Sequence, residues 1–385
     1  MEVEQIYELV NGATEEAIGQ SDLVQEDLGN VVDVGNAIFN ANAMDKYVKA
    51  LVNRIGRVIF VNRVYSGQMP RVLVDSWEYG SVLQKIRGDL PEAQENETWE
   101  LEDGSSYDQD IFTKPEIAVK FFNKMVTFEI PRSIADKQVR QSFTSAQELG
   151  SFVDMIFTQV QNSLTLKIER VAHMLVNNMI GEAVYKDFGS ASLSSKSGTR
   201  AVNLLYLYHQ ETGDNSVTTA NALVKPEFIR FATKIIREVA TRMGSYSTLF
   251  NVNETEKFTP KDLMRIVFHG DFDASAHAYL YSDTFHKDEV KLPEADLVSF
   301  WQGSGEGYAW ADSSKIDVKT ATGHEVEVSG IIGVIYDRDA MMIRNPDRRV
   351  TDHRNAKAEF TNYWFKFDSG YFADLDENFV VFFIA

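Results

Sequence analysis

Residues 145–187 read SAQELGSFVDMIFTQVQNSLTLKIERVAHMLVNNMIGEAVYKD. Apolar residues at Leu149, Phe152, Val153, Ile156, Phe157, Val160, Leu164, Ile168, Val171, Ala172, Leu175, Val176, Met179, Ile180, Ala183 and Val184 recur at intervals of three and four, the period of one helix face. Ser145 and Glu148 have the spacing of a capping box, and Gly189 with the Ser-rich run from Ser190 to Gly198 closes the segment. A helix of about 40 residues is about 60 Å long. That is longer than a compact core needs, and it suits a plate-like subunit built on a spine.

Before the spine the chain changes character several times. Residues 1 to about 55 carry helical spacing at Ile6, Leu9 and Val10 and again at Met44, Tyr47, Val48, Leu51 and Val52, with Gly12, Gly19, Gly29 and Gly35 interrupting it. Such a stretch reads as an arm that lies on something else. Residues 56–65, rich in β-branched and aromatic side chains, read as a strand. Residues 67–117 hold four basic residues against twelve acidic ones, with Trp77, Tyr79, Trp99, Tyr107 and Phe112 scattered among them. Two readings stand: a long hairpin whose aromatics dock on a neighbour, or a solvated insertion. Residues 117–130 return to strand character and Pro131 ends them.

After the spine, 201–212 reads as a strand and a turn. A second helix follows, with Pro226 in its first turn, an apolar stripe from Phe228 to Met243, and Gly244 as its stop. Strand-like runs occur at Leu263–Phe268 and Ala278–Tyr281. Ile316–Thr320 and Val326–Ser329 alternate with period two around Thr322-Gly323. Residues 378–385 form a strongly apolar strand.

Composition narrows the function classes. The 385 residues are 44% hydrophobic, enough for a large core. A formal net charge of −19 repels nucleic-acid phosphate and anionic membrane surfaces. There are no cysteines, so disulfides, thiolate metal sites and a cysteine nucleophile are excluded. The acidic start lacks a signal peptide's pattern, and apolar runs such as Phe379–Ala385 are too short to span a bilayer.

The chemistry-bearing motifs are missing or incomplete. There is no H-E-x-x-H, P-loop or G-x-S-x-G. Gly303, Gly305 and Gly307 do not make a dinucleotide fingerprint and read as a loop. Asp271-Phe-Asp273 opens like a calcium loop but lacks the later Gly and Glu. His269, His277 and His286 cluster near Asp271, Asp273 and Asp283 at spacings that match known metal sites only loosely. His173 falls among apolar helix positions and reads as a core residue. The expectation is no catalytic residue, no cofactor and no metal, with an acidic cytoplasmic hydrolase as the competing class.

Certain segments resemble the major capsid proteins of tailed phages, particularly those infecting Gram-positive bacteria. They are GRVIFVNRVYSG at 56–67, WEYGSVLQKIR at 77–87, LPEAQEN at 90–96 with Trp99, GVIYDRDA at 333–340, Thr361-Asn-Tyr363 and Gly370-Tyr-Phe372. The order of parts is similar too. The resemblance implies an α+β protein with the fold named after phage Hong Kong 97. It assigns 1–45 to an N-terminal arm, 46–65 to the first part of a peripheral domain, and 66–117 to an extended loop reaching over the adjacent subunit. It then gives 118–200 to the peripheral domain with the spine helix, 201–314 to an axial domain, 315–365 to returning peripheral strands, and 366–385 to the axial domain's last strand.

The implied function is self-assembly into pentamers and hexamers of an icosahedral or prolate head enclosing double-stranded DNA, in a virion assembled in the host cytoplasm. The alternatives are an encapsulin-type nanocompartment shell or another phage structural part. The implied partners are other copies of the chain, a portal protein, a possible decoration protein, DNA bound without sequence specificity, and no membrane. No segment like the family's cleaved N-terminal scaffold is seen, so a separate scaffolding protein is expected. Trp77, Tyr79 and Trp99 are the expected loop anchors, since aromatics carry much interface energy, and Tyr107 and Phe112 are further interface candidates. Lys85 and Arg87 are expected to meet carboxylates across the interface. Some members carry Lys–Asn crosslinks; no acceptor for Lys85 is identifiable, so none is expected.

Overall fold

The long periodic segment forms the expected helix, Ala146–Phe188, 43 residues and about 65 Å from end to end. It serves two cores. Val153, Ile156 and Val160 are buried in one, and the positions from Leu164 to Phe188 in another. The structure is a computed structural model and describes residues 3–19, 24–27, 29–41, 43, 46–52, 54, 72, 83–88, 117–122, 125–135, 137–138, 146–281, 295–303, 307, 309–344 and 348–385. Ser145 of the capping box and the strand expected at 56–65 lie outside them.

The first core is made where the N-terminal helices α1 (Val3–Ile18) and α2 (Val31–Asn40), with helical residues 46–52, meet a four-stranded antiparallel sheet. Gly12 and Gly35 sit inside these helices rather than between them, while Gly19, at φ +79°, and Gly29 fall outside. Two strands precede that sheet, β1 (Leu83–Gly88) and β2 (Ile117–Phe122). Within it, β3 (Met125–Ala135) pairs with one side of the long strand Phe360–Ala373, and Arg348–Asn355 and Met341–Arg344 pair with the other. Pro131 does not end β3; it sits within it, opposite Trp364. Among the described residues β3 pairs only with Phe360–Ala373, and a residue without an N–H fits such an edge position. Ile134, Tyr363 and Phe365 of this sheet are buried against Val10, Ala13, Val34, Ile38 and Tyr47. The N-terminal segment therefore lies on its own subunit's sheet and on the first turns of the spine.

The second body is a five-stranded sheet in the order Ala201–Asn203, Phe379–Phe383, Ile331–Asp337, Met264–His269, Asp296–Val298. Both faces are covered. Phe379, Val381 and Phe383 point to the spine helix, and Val380, Phe382 and Ile384 to the helices Leu204–Thr212, Pro226–Met243 and Gly270–Tyr281. Strand Ile331–Asp337 has no exposed residue. Its pairing skips a residue, with Phe382 opposite Gly333 and Phe383 opposite Ile331. This bulge lets Ile331 and Val334 enter the same core. Gly333 is required there, since an added Cβ would lie 2.5 Å from Phe268 Cδ1 and 2.7 Å from the Val267 carbonyl.

Residues 204–212 are helical rather than a turn. Asn203 Oδ1 caps them, accepting from the N–H groups of Leu205 (3.1 Å) and Tyr206 (3.2 Å). Residues 278–281 end a helix, not a strand, because Phe272 and Ala276, four apart, are buried on one face. Ile316–Lys319 and Glu325–Val328 form the expected hairpin. The hairpin is clasped to the spine: buried Glu182 accepts from Thr322 N (3.0 Å) and Oγ1, and His324 stacks on Tyr185 at 3.5 Å. A division at 314/315 would separate Ile331–Asp337 from a sheet it centres, and one at 365/366 would cut the continuous strand Phe360–Ala373.

Candidate subunit-interface site

Strands β1 and β2 form a separate two-stranded antiparallel ladder, Leu83 opposite Phe122 and Gly88 opposite Ile117. Its register sets the chemistry of its two faces, because successive side chains alternate. Lys85 is directly opposite Lys120, on the face that also carries Phe122. Like charges in that position destabilise an isolated ladder. Here they are compensated by an acidic turn joining Phe360–Ala373 to Phe379–Phe383. Lys85 Nζ donates to Asp374 Oδ2 (2.8 Å), Glu377 Oε1 (2.8 Å) and the Asp339 carbonyl (3.0 Å). Lys120 Nζ bonds Asp374 Oδ1 at 3.0 Å and pairs with Asp376. Phe122 stacks on Phe372, centroids 4.2 Å apart.

The acidic turn is held from behind. The Asp374 N–H donates to the Ala340 carbonyl (2.8 Å), Asn253 Nδ2 to Asp376 Oδ1, and Lys257 Nζ to Glu377 Oε1 (3.1 Å). Burial pushes the Asp374 carboxyl up, but hydrogen bonds and charge from Lys85, with Lys120, outweigh it and hold the group below the usual range. Burial lowers the Lys85 amine, and the bonds to Asp374 and Glu377 more than reverse this. Lys85 is thus kept as a cation, and a protonated amine clamps but does not attack. Neighbouring Asp337 is pushed up, chiefly by burial.

The other ladder face is open to solvent and carries an apolar strip beside exposed Gln84. Ile86 is 67% exposed, Phe121 62% and Val119 42%. Ile86 and Arg87 overhang an open cleft of about 700 Å³, with Tyr246, Lys257 and Phe258 across from them and Asp337 and Asp339 on its lining. A smaller cavity of about 250 Å³ lies beside the spine at Glu169, His173, Met174 and Phe300. Among the described residues no group of three or more His, Asp or Glu could hold a metal ion. His269 is buried, its Nδ1 accepting from the Asp271 N–H (3.2 Å), while His286 lies outside the described residues. His173 is buried as expected, stacked on Phe300.

Of the expected interface residues, Lys85 and Arg87 fall on the ladder, and Trp77, Tyr79, Trp99, Tyr107 and Phe112 lie outside the described residues. Lys85 makes its ion pairs within its own chain. Sequence reading missed Lys120, Asp374, Asp376 and Glu377. The run Asp374-Leu-Asp-Glu377 is visible in sequence, but nothing local ties it to a lysine 254 positions away.

A two-core spine, a sheet covered on both faces and a ladder carried outside both bodies define an α+β architecture of the Hong Kong 97 capsid type. The structural likeness is to a chain from the structure of the head fiber and inner core protein gp22 of native bacteriophage P68, with TM-score 0.50, 8% identity, and 84% of this chain and 88% of that one covered. A chain from the capsid structure of Staphylococcus phage Andhra is similar at TM-score 0.49 and 9% identity, covering 84% and 87%. In sequence, the family model for Phi29-like phage major capsid proteins matches residues 8–383, and the chain belongs to that family. The major capsid protein of Bacillus phage GA-1 is 22% identical over 364 residues, 93% of this chain and 65% of that protein. The chain therefore spans just under two thirds of that relative's length. No helix among the described residues is long and apolar enough to cross a membrane.

Proposed function

We propose that the chain is the shell subunit of a phage head, joining copies of itself into pentamers and hexamers of an icosahedral or prolate capsid around double-stranded DNA. The observation that carries this reading beyond family membership is the ladder. Its outer face exposes Ile86, Val119 and Phe121 together, an apolar strip that a second copy would cover. The function is physical and uses no catalytic residue: many modest contacts, repeated in every copy, close a shell. The net charge of −19 keeps the wall from gripping DNA that must move in and out. A separate scaffolding protein, a portal protein and a decoration protein are the further partners, with assembly in the host cytoplasm.

In this proposal the first core is the peripheral domain and the five-stranded sheet the axial domain. The pairing of Ile331–Asp337 with Phe379–Phe383 supports counting 331–337 with the axial side. In the same proposal residues 66–117 are the extended loop that reaches over the neighbour, with Trp77, Tyr79 and Trp99 as its anchors and Tyr107 and Phe112 as further interface candidates. The test is a deletion of 89–116 closed by a short turn between Gly88 and Ile117. This is preferable to removing 68–115, which would take away buried Val72, whose carbonyl accepts from Ile343 N (2.9 Å). The deletion should give a soluble, folded chain and no closed particles under negative-stain microscopy. Normal particles would refute the loop's role.

A further inference from the structure

The paired lysines call for an explanation beyond shell building. A ladder whose only task is to present Ile86, Val119 and Phe121 has no need of two cations directly opposite each other on its hidden face. Among the described residues the ladder shares no strand pairing with either sheet. The Lys85 and Lys120 contacts and the Phe122–Phe372 stack tie it to the body. The acidic turn it rests on is, by contrast, fixed by backbone bonds to Ala340 and by the 251–255 segment, through Leu375 O and Asp376. One side of the contact is braced by backbone bonds, and two lysines reach it from the other.

We propose that Lys85 and Lys120 with Asp374, Asp376 and Glu377 form an ionic latch. Closed, it fixes the angle of the ladder to the body; opened, it lets the ladder and the strip on its outer face turn to meet a neighbouring copy. Opening gives up the ion pairs and one ring stack, Phe122 on Phe372, so a large part of the barrier is electrostatic. The surrounding charges fit this balance. Lys257 shares Glu377 with Lys85, so the turn retains one counter-charge when the ladder departs. Asp337 and Asp339 leave that corner acidic enough to draw the lysines back. The link to assembly rests on the shell reading above; the latch itself does not.

The experiment is amide hydrogen exchange on the full chain and on a Lys85→Met, Lys120→Met double variant, which keeps the apolar stems and removes both charges. The amides of 83–88 and 117–122 should exchange about tenfold faster in the variant, while 331–337 and 379–383 are unchanged. Raising salt from about 0.05 M to about 1 M should accelerate the same amides in the unaltered chain and leave the variant's rates alone. Equal rates in the two proteins at both salts would overturn the latch. If the variant loses protection in its body, the salt response of the unaltered chain decides: acceleration confined to the ladder supports the latch, and no acceleration overturns it. Electron microscopy then tests the coupling. Altered particle diameter or failure to close in the variant supports it, and identical particles despite a loosened ladder sink it. An unaltered chain that builds no particles counts against the shell reading, while the exchange comparison still judges the latch.

Discussion

The five-stranded sheet and the two-stranded ladder are both antiparallel at heart, yet they are held by different forces. In the sheet every residue from Ile331 to Asp337 and from Phe379 to Phe383 is buried, with the spine on one face and three helices on the other. Its stability comes from removing apolar surface from water, which salt hardly weakens. In the ladder one face holds charges and the other is open to solvent. The difference teaches that one chain can contain a body tuned for permanence and an element tuned for exchange, and that solution conditions should separate them.

The sharpest way to break the comparison is in the sheet. Phe382→Ala removes a fully buried ring between two helices' worth of packing and should cost about 3–5 kcal/mol, read as a fall in the urea midpoint. A loss under about 1 kcal/mol would mean the sheet is less essential than its burial implies. Next should be Arg200→Ala, which breaks the 2.9 Å pair with Asp187 and the bond to the Asn251 carbonyl; about 2–3 kcal/mol is expected, because Asp187 keeps the bonds from the N–H groups of residues 200 and 201. Asn203→Ala should cost about 2 kcal/mol, because it loses the helix cap and the two bonds that the buried Nδ2 donates to the Leu193 and Ala385 carbonyls; Asn203→Asp should not restore it, since a buried carboxylate would face those same carbonyls. At the small end, Ile86→Ser should move the isolated subunit's stability by less than about 0.5 kcal/mol while reducing particle yield. A large stability loss there would show that the ladder's outer face is covered by its own chain.

Acid should also distinguish the regions. Burial lowers the His269 pKa below its ordinary 6.5, so the unfolded chain takes up that proton first. The body should lose stability as pH falls below about 6.5, and His269→Gln should flatten that part of the curve. Asp374 acts lower. Its depressed pKa gives stability above the ordinary 3.8 that disappears as pH falls through the folded value. A chain whose denaturation midpoint is flat from pH 7 to 5 would contradict the His269 assignment.

What could be read from the sequence was whatever repeats locally. The spine's three-and-four spacing, Pro226 with Gly244, and the alternation at 316–328 each carry their own period, and the structure has each element in place. What misled was local composition overruled by distant packing. Pro131 looked like a stop until an edge position excused its missing N–H, and Ala278–Tyr281 looked like a strand until burial of Phe272 and Ala276 made it helical. The latch was the least legible part. Lys85 is ordinary in sequence; its meaning comes from a register with Lys120 and from carboxylates nearly 300 positions on.

Finally, the helix that joins the two cores is a lever. Its first turns are gripped by α1, α2 and the four-stranded sheet, and its last by the five-stranded sheet and the 316–328 hairpin. Over about 65 Å, a tilt of roughly 5° at one grip displaces the other by about 6 Å, more than one helical turn's rise. Small adjustments where the N-terminal helices sit are thereby magnified at the far sheet, and because Met341, Ile343 and Phe367 of the four-stranded sheet share a core with Val381 and Phe383 of the five-stranded one, both sheets would have to follow the spine.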